Sequence, residues 1–461
     1  MGERRIILIP VSKTLSNVTG RVLDRHLNKL AILIVLVGIT AISPVMSSLV
    51  ASVNLRSTGE ILQRGYARSG SARDIQAAVD WIVANGSGIG NVYIPAGTFN
   101  FVDVGQPWQT VNIPAGVSVF GAPTQRDSNG QVLEWKTILV MPNDVPGDPD
   151  TYPSWFKITG TGNPTAAPTR FSDIKLQGYR TLHPSSTTIQ SGVYIDNVVD
   201  FRADHCCFEH TAGGGVGTWG LKTRGVIDHC RIYNIYAYDN LDNYMESSVG
   251  YGVELHMGYS GVPWLPTMSV LGQYTDGTVF IENCYFSKWR HSVCGGHGSF
   301  YVFRYNIIDQ DLGHFSLDVH GLRDTQSGRR GGRGAEIYEN TFQNVSQNPA
   351  DNQAVFQDGG GCGVWFNNYI DSSYNPGGIA LYLEDAVAST TCHVADFYLW
   401  SAKGTTPDDP TTAFPADRHV DANWTRLAYN PTDSRYPNTD PSWLIAGYKP
   451  YAYPHPLTLA P

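Results

Sequence analysis

The sequence predicts an all-β chain wound as a solenoid, and three observations carry that prediction. Apolar/polar alternation recurs three times between Trp289 and Phe342, each time closed by Gly or Asn; a period of two bounded by turn residues marks strands. The 461 residues include 48 Gly and 11% aromatics but only 16% charged residues, against roughly 25% in an average globular chain. A five-residue marker also repeats: Asp204-His-Cys-Cys-Phe208, Asp228-His-Cys-Arg-Ile232, Glu282-Asn-Cys-Tyr-Phe286, Arg304-Tyr-Asn-Ile-Ile308, Tyr338-Glu-Asn-Thr-Phe342 and Phe366-Asn-Asn-Tyr-Ile370.

The markers step by 24, 54, 22, 34 and 28 residues. Steps of 22–28 read as one coil of the solenoid, 54 as two coils, and 34 as one coil with a loop. Cys or Asn at the third place predicts an inward turn stacked from coil to coil, with Asn side chains bonding rung to rung. The closing residues Phe208, Ile232, Phe286, Ile308, Phe342 and Ile370 are then all expected inside.

Taken in order, the chain opens with a basic leader and the apolar stretch 30–53, which has no charged residue. That is long enough to span a bilayer. Arg25 and Lys29 precede it, which places its N-terminal side in the cytoplasm. It reads as a secretory signal cut near Ser47–Ser52 or as an uncleaved anchor; either puts the remainder outside the cytoplasm, secreted or at the cell surface. With the six basic and two acidic residues of 1–53 set aside, 54–461 carries a surplus of 13 acidic residues. Such a charge argues against a nucleic-acid partner. Membrane contact is expected only through 30–53, if uncleaved.

The first regular element is a helix over about 74–84. Ser71 can cap it, Asp74 suits its first turn, Gly86 can end it, and Ile75, Ala78, Val79 and Ile82 form its apolar stripe. Asn91-Val-Tyr-Ile-Pro-Ala-Gly-Thr-Phe99 follows as strand, turn and strand, and Val111-Asn-Ile-Pro-Ala-Gly-Val-Ser-Val-Phe120 repeats the scheme. Residues from about 121 to 170, rich in Pro, Asp, Gly and Thr, read as a loop insertion. The solenoid domain is expected over 54–402. A Pro-rich tail, 403–461, is expected to pack on the solenoid or cap its open end. Seven cysteines without a Cys-x-x-Cys pair argue against a zinc ribbon and read mostly as small buried residues.

The Asp-Ile-Gln-Ala-Ala-Val-Asp helix, the glycine-rich turn and Val92-Tyr-Ile-Pro-Ala-Gly-Thr-Phe99 together resemble the opening of the pectate-lyase-like superfamily, with no family within it assigned. The resemblance covers Ser71 to Phe120 directly and the later repeats by pattern. It implies a single-stranded right-handed parallel β-helix whose short N-terminal helix caps the first coil. The superfamily carries lyases, hydrolases, epimerases and adhesins. Its lyases often use an Arg or Lys base and Ca²⁺; no motif for either stands in this sequence, so Ca²⁺ is the one cofactor the resemblance adds and no metal ligands are assigned. Gly296-His297-Gly298 also resembles a fragment of polygalacturonase-type hydrolases. The accompanying segments are absent or in the wrong order, so no hydrolase residues are carried over.

In a β-helix, outward side chains of stacked strands form ladders about 4.8 Å apart. Aligning the segments 253–257, 292–296, 315–320, 354–358 and 379–384 with apolar residues inward leaves Glu254, His256, Asp318, His320, Gln357, Tyr382 and Glu384 outside, bordered by His291 and His297. Asp318 and His320 stand at i and i+2, on one face, where a carboxylate can orient an imidazole or both can hold an ion. Arg323, Arg329, Arg330 and Arg333 form a basic glycine-rich loop directly after them; guanidinium groups bind carboxylates in bidentate fashion.

The expected function is an extracellular polysaccharide-active enzyme, a lyase on an acidic, uronate-containing polysaccharide. His320 or His291 would be the base, Asp318 its orienter or an ion ligand, and the arginines the grip on the sugar carboxylate. Glu254, His256, Gln357, Tyr382 and Glu384 would contact substrate. Two alternatives stay open: a non-catalytic glycan-binding surface protein using Trp289, Trp365 and Tyr382, and a hydrolase using two of Glu254, Asp318 and Glu384.

Overall fold

Three parallel sheets, visited in rotation, make the body of the protein. The computed structural model describes residues 65–142, 145–146, 153–178, 191–211, 214–234, 250–258, 271–272, 274–289, 291–309, 316–320, 331–343, 355–358, 361–370, 379–381, 394–399 and 450–459. As described, the first sheet has ten strands, from Gly90–Tyr93 to Val394–Leu399, and the second nine, from Gly97–Asn100 to Tyr369–Ile370. The third also has nine, from Val111–Pro114 to Ile379–Leu381. Each coil gives one strand to each sheet and pairs in parallel with the coils before and after it, so the protein is an all-β solenoid of the parallel β-helix kind.

The front of the solenoid is closed by helix α1, Ala72–Asn85. The Ser71 hydroxyl accepts from the Asp74 N–H at 3.3 Å, and the Gly86 N–H donates to Ile82 O at 2.7 Å. Ile75, Ala78, Val79 and Ile82 are buried. On its other side, α1 meets the exposed edge of the third sheet: Asn112 N–H donates to Gln76 Oε1 at 2.7 Å, and Gln76 Nε2 to Asn112 O at 3.1 Å. A bare parallel edge would pair with another chain, and the helix removes that opportunity here.

The marker register is as follows. Phe208, Ile232, Phe286, Ile308 and Phe342 are successive Cα partners in the second sheet, and each is fully buried. Burying each such side chain contributes roughly 1.5–3 kcal/mol. Ile370 continues the register beside Phe342, and its side chain lies outside the described residues. The second marker position turns the chain: His205, His229, Asn283, Tyr305, Glu339 and Asn367 all have φ between 51° and 59°, a left-handed conformation that costs most residues about 1–2 kcal/mol. The third position offsets that cost. Asn306 and Asn340 each receive a backbone N–H from the coil before, and their amides donate to the next Asn at 3.1 and 2.9 Å. Cys206, Cys230 and Cys284 fill the same place in earlier coils, reduced and buried.

Two expectations need correction. The 54-residue step is one coil, not two: Arg224–Asp228 pairs directly with Thr278–Glu282, and the Cys230 N–H reaches Cys284 Sγ at 3.4 Å. The excess length falls in 235–249 and 259–270, on either side of Tyr251–His256 and outside the described residues. Conversely, the supposed insertion over 121–170 carries part of the solenoid, because Thr137–Val140 belongs to the second sheet and Phe156–Thr159 to the third.

The outer face of the first sheet is covered by residues 450–459. Tyr451 and Leu457 pack against a second apolar cluster that includes Val226, Phe280, Val302 and Val364. Arg304 anchors this strap by donating to Tyr451 O at 2.6 Å and Ala452 O at 3.1 Å, while Glu282 accepts the His455 N–H at 3.0 Å. The apolar stretch 30–53 and tail residues 403–449 lie outside the described residues. Among the described residues, no helix is long and apolar enough to cross a membrane.

Candidate active site

The third sheet brings the sequence-predicted column together. Tyr251–His256, His291–Gly296, Leu317–Val319, Phe356–Asp358 and Ile379–Leu381 are consecutive neighbours. Their register places Glu254 beside Cys294, Cys294 beside Asp318, and Asp318 beside Gln357. Val253, Leu255, Val293, Leu317 and Val319 lie in the core, so strand alternation turns Glu254, His256, Cys294, Asp318 and His320 the other way.

Outward does not mean solvated here. Glu254 is 7% exposed and Asp318 2%; only His256 and His320 are partly open. Glu254 Oε1 lies 3.4 Å from His256 Nε2. The His256 ring meets His297 edge-on at 4.4 Å and Trp219 at 5.5 Å between centroids. His320 follows the next strand but one, its backbone pinned by an N–H to Gly295 O at 2.8 Å and by the Gly332 N–H at 3.0 Å. Between His256 and His320 stands Gly296. A Cβ there would come within 3.4 Å of His256 Nε2 and 3.9 Å of His320 Cβ. Glycine therefore leaves a methyl-sized space beside the His256 ring and the His320 Cβ.

The electrostatics follow from dryness. Burial pushes the Glu254 carboxyl up to about 7, with His320 pulling the other way. Burial also holds His256 well below the ordinary imidazole range, reinforced by His297 and His320. Near neutral pH, an uncharged imidazole thus faces a carboxyl close to half protonation. Buried groups with displaced titration at one place are the pattern of acid–base chemistry.

The remaining candidates divide. His291 is 3% exposed and its ring lies 5.3 Å from Tyr251, its partner on the neighbouring strand; the Ser292 and Val293 N–H groups both reach Ser316 O, so the strand alternation is interrupted between His291 and the column. Asp318, expected to face solvent, is covered, and Cys294 Sγ lies 3.7 Å from its Oδ2. Arg333 is not on a rim; it is 4% exposed and its Nη2 donates to Asp276 O at 2.5 Å. Arg323, Arg329, Arg330, Tyr382 and Glu384 lie outside the described residues, as does the side chain of Gln357. Trp289 and Trp365, proposed as sugar platforms, are fully buried in the core. Trp219 and Cys294 were not singled out from sequence. Extending the column by one strand, to Gly214–Trp219, would have found Trp219.

A second polar array lies on the first sheet. Arg170 clasps Asp204 at 2.7 and 2.9 Å, Arg202 clasps Asp228 at 2.9 and 3.0 Å, and Arg304 meets Glu282 at 2.7 Å. Asp204, His205 and Asp228 have ligand atoms within 4.8 Å of one another. Both carboxylates are already paired with guanidinium groups, and against the cost of burial the His205 hydrogen bond, with Arg170 and Arg202, holds Asp204 well below the usual carboxylate range. Ca²⁺ requires six to eight oxygen ligands, so this donor set does not suit it.

No protein-family model and no curated protein matches the chain. Among solved structures it is similar to ORF18 of Geobacillus virus E2, at 14% identity and a TM-score of 0.35, over 77% of this chain and 64% of that one. It is also similar to a double mutant of the tailspike protein of E. coli bacteriophage HK620, at 12% identity and a TM-score of 0.39, over 72% of this chain and 62% of that one. The same tailspike in complex with a pentasaccharide aligns at 13% identity with a TM-score of 0.32. The chain thus spans less than two thirds of the length of these structures.

Proposed function

We propose that the chain is an extracellular polysaccharide-active enzyme of the pectate-lyase-like superfamily, a lyase that cleaves a uronate-containing chain by β-elimination at Glu254, His256 and His320. One observation carries this reading: a neutral imidazole 3.4 Å from a carboxyl that titrates at about 7, beside a gap left by Gly296. β-Elimination removes the proton α to the sugar carboxylate, forms a carbon–carbon double bond and expels the glycosidic oxygen, which takes a proton from solvent water as it leaves. His256 Nε2, kept uncharged by burial, borders the gap and takes the proton. Glu254, in its protonated form, donates to the sugar carboxylate as charge develops there. The His320 Cβ lies on the other side of that space, and Asp318 stands beside Cys294 as a supporting carboxyl. This moves the base from His320 or His291 to His256. Export directed by 30–53, as a cleaved signal or a retained anchor, belongs to the same proposal and would bring the enzyme to extracellular polysaccharides.

A hydrolase is the second reading, favoured by one feature. Glu254 and Asp318 occupy one ladder two strands apart, about 9–10 Å between backbones, near the spacing at which two carboxyls flank a water. Incubation with a panel of acidic and neutral polysaccharides, followed by both reducing ends and absorbance of unsaturated ends, separates the readings. Both signals together support the lyase; reducing ends alone support the hydrolase. Binding without either signal leaves a glycan-binding surface protein.

A further inference from the structure

His455 belongs to the strap that covers the first sheet, and it is 1% exposed. Three aromatic rings enclose it. Phe280 and Tyr274 lie 4.5 and 5.0 Å from its ring, centroid to centroid, and Tyr451 stacks on it at 5.6 Å. Its Nδ1 accepts the Leu457 N–H at 3.2 Å, so the ring is the neutral tautomer with its proton on Nε2. That Nε2 is buried and has no hydrogen-bond partner among the described residues. The backbone of the same residue fastens the strap. Its N–H donates to Glu282 Oε1 at 3.0 Å, and its carbonyl accepts the Thr458 N–H at 2.8 Å.

A second proton finds no welcome on this ring. Taken from solvent, it would enter at Nδ1 and displace the Leu457 N–H, leaving an imidazolium among aromatic rings. The nearby carboxylates are engaged. Arg202 clasps Asp228, Asp200 takes Arg224 Nε and the Tyr274 hydroxyl at 3.1 Å each, and Arg304 holds Glu282. The Arg304 guanidinium also lies over the Phe280 ring at 5.1 Å. Burial and then Arg304 push the imidazole down to about 4; Asp228 and Asp200 oppose this and Arg202 reinforces it.

We propose that His455 is a proton-operated latch: its neutral imidazole keeps residues 450–459 on the outer face of the first sheet, and its protonation in mild acid releases them and uncovers the apolar cluster around Phe280, Val302 and Val364. The sheets beneath have their own pairing and core, so the release is local. The inference is independent of the reading of the third-sheet site. Its sign follows from the ordinary imidazole value of 6.5 in the released strap against about 4 in the docked one: docking is fully favoured above 6.5 and weakens as pH falls below it.

Hydrogen exchange of the peptide spanning 450–459, corrected for intrinsic rates, measures release in the full chain at pH 8 and pH 5. Titration at 6.5 released and about 4 docked makes wild-type protection fall about 30-fold between them. The peptide containing Phe300–Arg304 keeps its protection at both. His455→Asn keeps an acceptor for the Leu457 N–H, and His455→Phe keeps a ring among the aromatics. Neither takes a proton, so both hold their protection within about 3-fold. Glu282, pushed up by burial, titrates in all three proteins, so the variants subtract its share. Wild-type protection that persists at pH 5, or an equal fall in either variant, overturns the proposal. A strap unprotected at pH 8 in both variants also overturns it, by making His455 a packing residue only. Loss of the Phe300–Arg304 protection at pH 5 overturns it too, since the change would then be general unfolding.

Discussion

Glu254 Oε1 and His256 Nε2 lie 3.4 Å apart on one strand, two residues from each other, and both groups disfavour charge. In water such a pair would be carboxylate and imidazolium over much of the range between their pKa values. Burial reverses that order, so the pair holds its exchangeable proton on the carboxyl side near neutrality. A solvated structural face would have no cause to do this.

Stability should register the cost. Glu254 has an ordinary value of 4.5 and about 7 in the folded protein, so the folded state binds the extra proton between those limits. Its contribution is therefore most favourable below pH 4.5 and is lost as pH rises through about 7, by up to ~3 kcal/mol. His256 works in the opposite sense, since its depressed value weakens the fold as pH falls below 6.5. Comparing Glu254→Gln with wild type isolates the carboxyl: the variant should gain stability relative to wild type between pH 5 and 8 in chemical denaturation. A constant difference across that interval would contradict the raised pKa.

The gap at Gly296 gives a steric prediction. In Gly296→Ala the new Cβ reaches ordinary contact, 3.4 Å from His256 Nε2, so the fold should survive. Gly296→Val adds two methyl groups against the His256 ring and should lower kcat/KM by at least ~100-fold, with a melting temperature close to that of Gly296→Ala. Activity retained in the valine variant would remove the gap from the site.

The turn ladder can be weighed through Asn340. Its amide donates to Phe303 O, Tyr338 O and Asn368 Oδ1, and its oxygen accepts the Asn306 N–H. Asn340→Ala leaves buried carbonyls and an N–H without these bonds and should cost ~2–4 kcal/mol. Urea titration measures it, and a loss below ~1 kcal/mol would mean that neighbouring groups replace the ladder.

The strap should depend on Arg304. Arg304 and Glu282 pair at 2.7 Å with neither side chain exposed. Removing one partner strands the other charge, so Arg304→Met should destabilise by ~3–5 kcal/mol, whereas Arg304→Met with Glu282→Gln should recover much of the loss. Protease cleavage near residues 450–459 should rise in the single variant and fall again in the double one.

Much of the scaffold was legible because its repeats are local. Polar–Cys/Asn–x–apolar markers name the stacked turn and the inward residues of each coil without reference to distant contacts. Coil length was not legible where loops intervene: the 54-residue step differs from two coils only through the direct pairing of Val279 with Gly225. The site column followed from alternation, which brings Glu254 and Asp318 into one ladder and puts His256 and His320 at its end. Depth was hidden, because the same alternation cannot say that Asp318 is covered or that Arg333 turns inward to Asp276. The burial of His291 was hidden for a related reason: it stands at a strand start, and the alternation is interrupted between it and Val293. Trp219 lay outside the column because it was begun at Val253, after the strand that carries it.

The most direct test of the account is the rate at which wild type and Glu254→Gln release unsaturated ends from a uronate-containing polysaccharide, measured from about pH 5 to pH 9. The account predicts a wild-type rate that falls as pH rises through about 7, and a Glu254→Gln rate at least ~100-fold lower without that fall. A Glu254→Gln variant that keeps the wild-type rate and pH profile would contradict it.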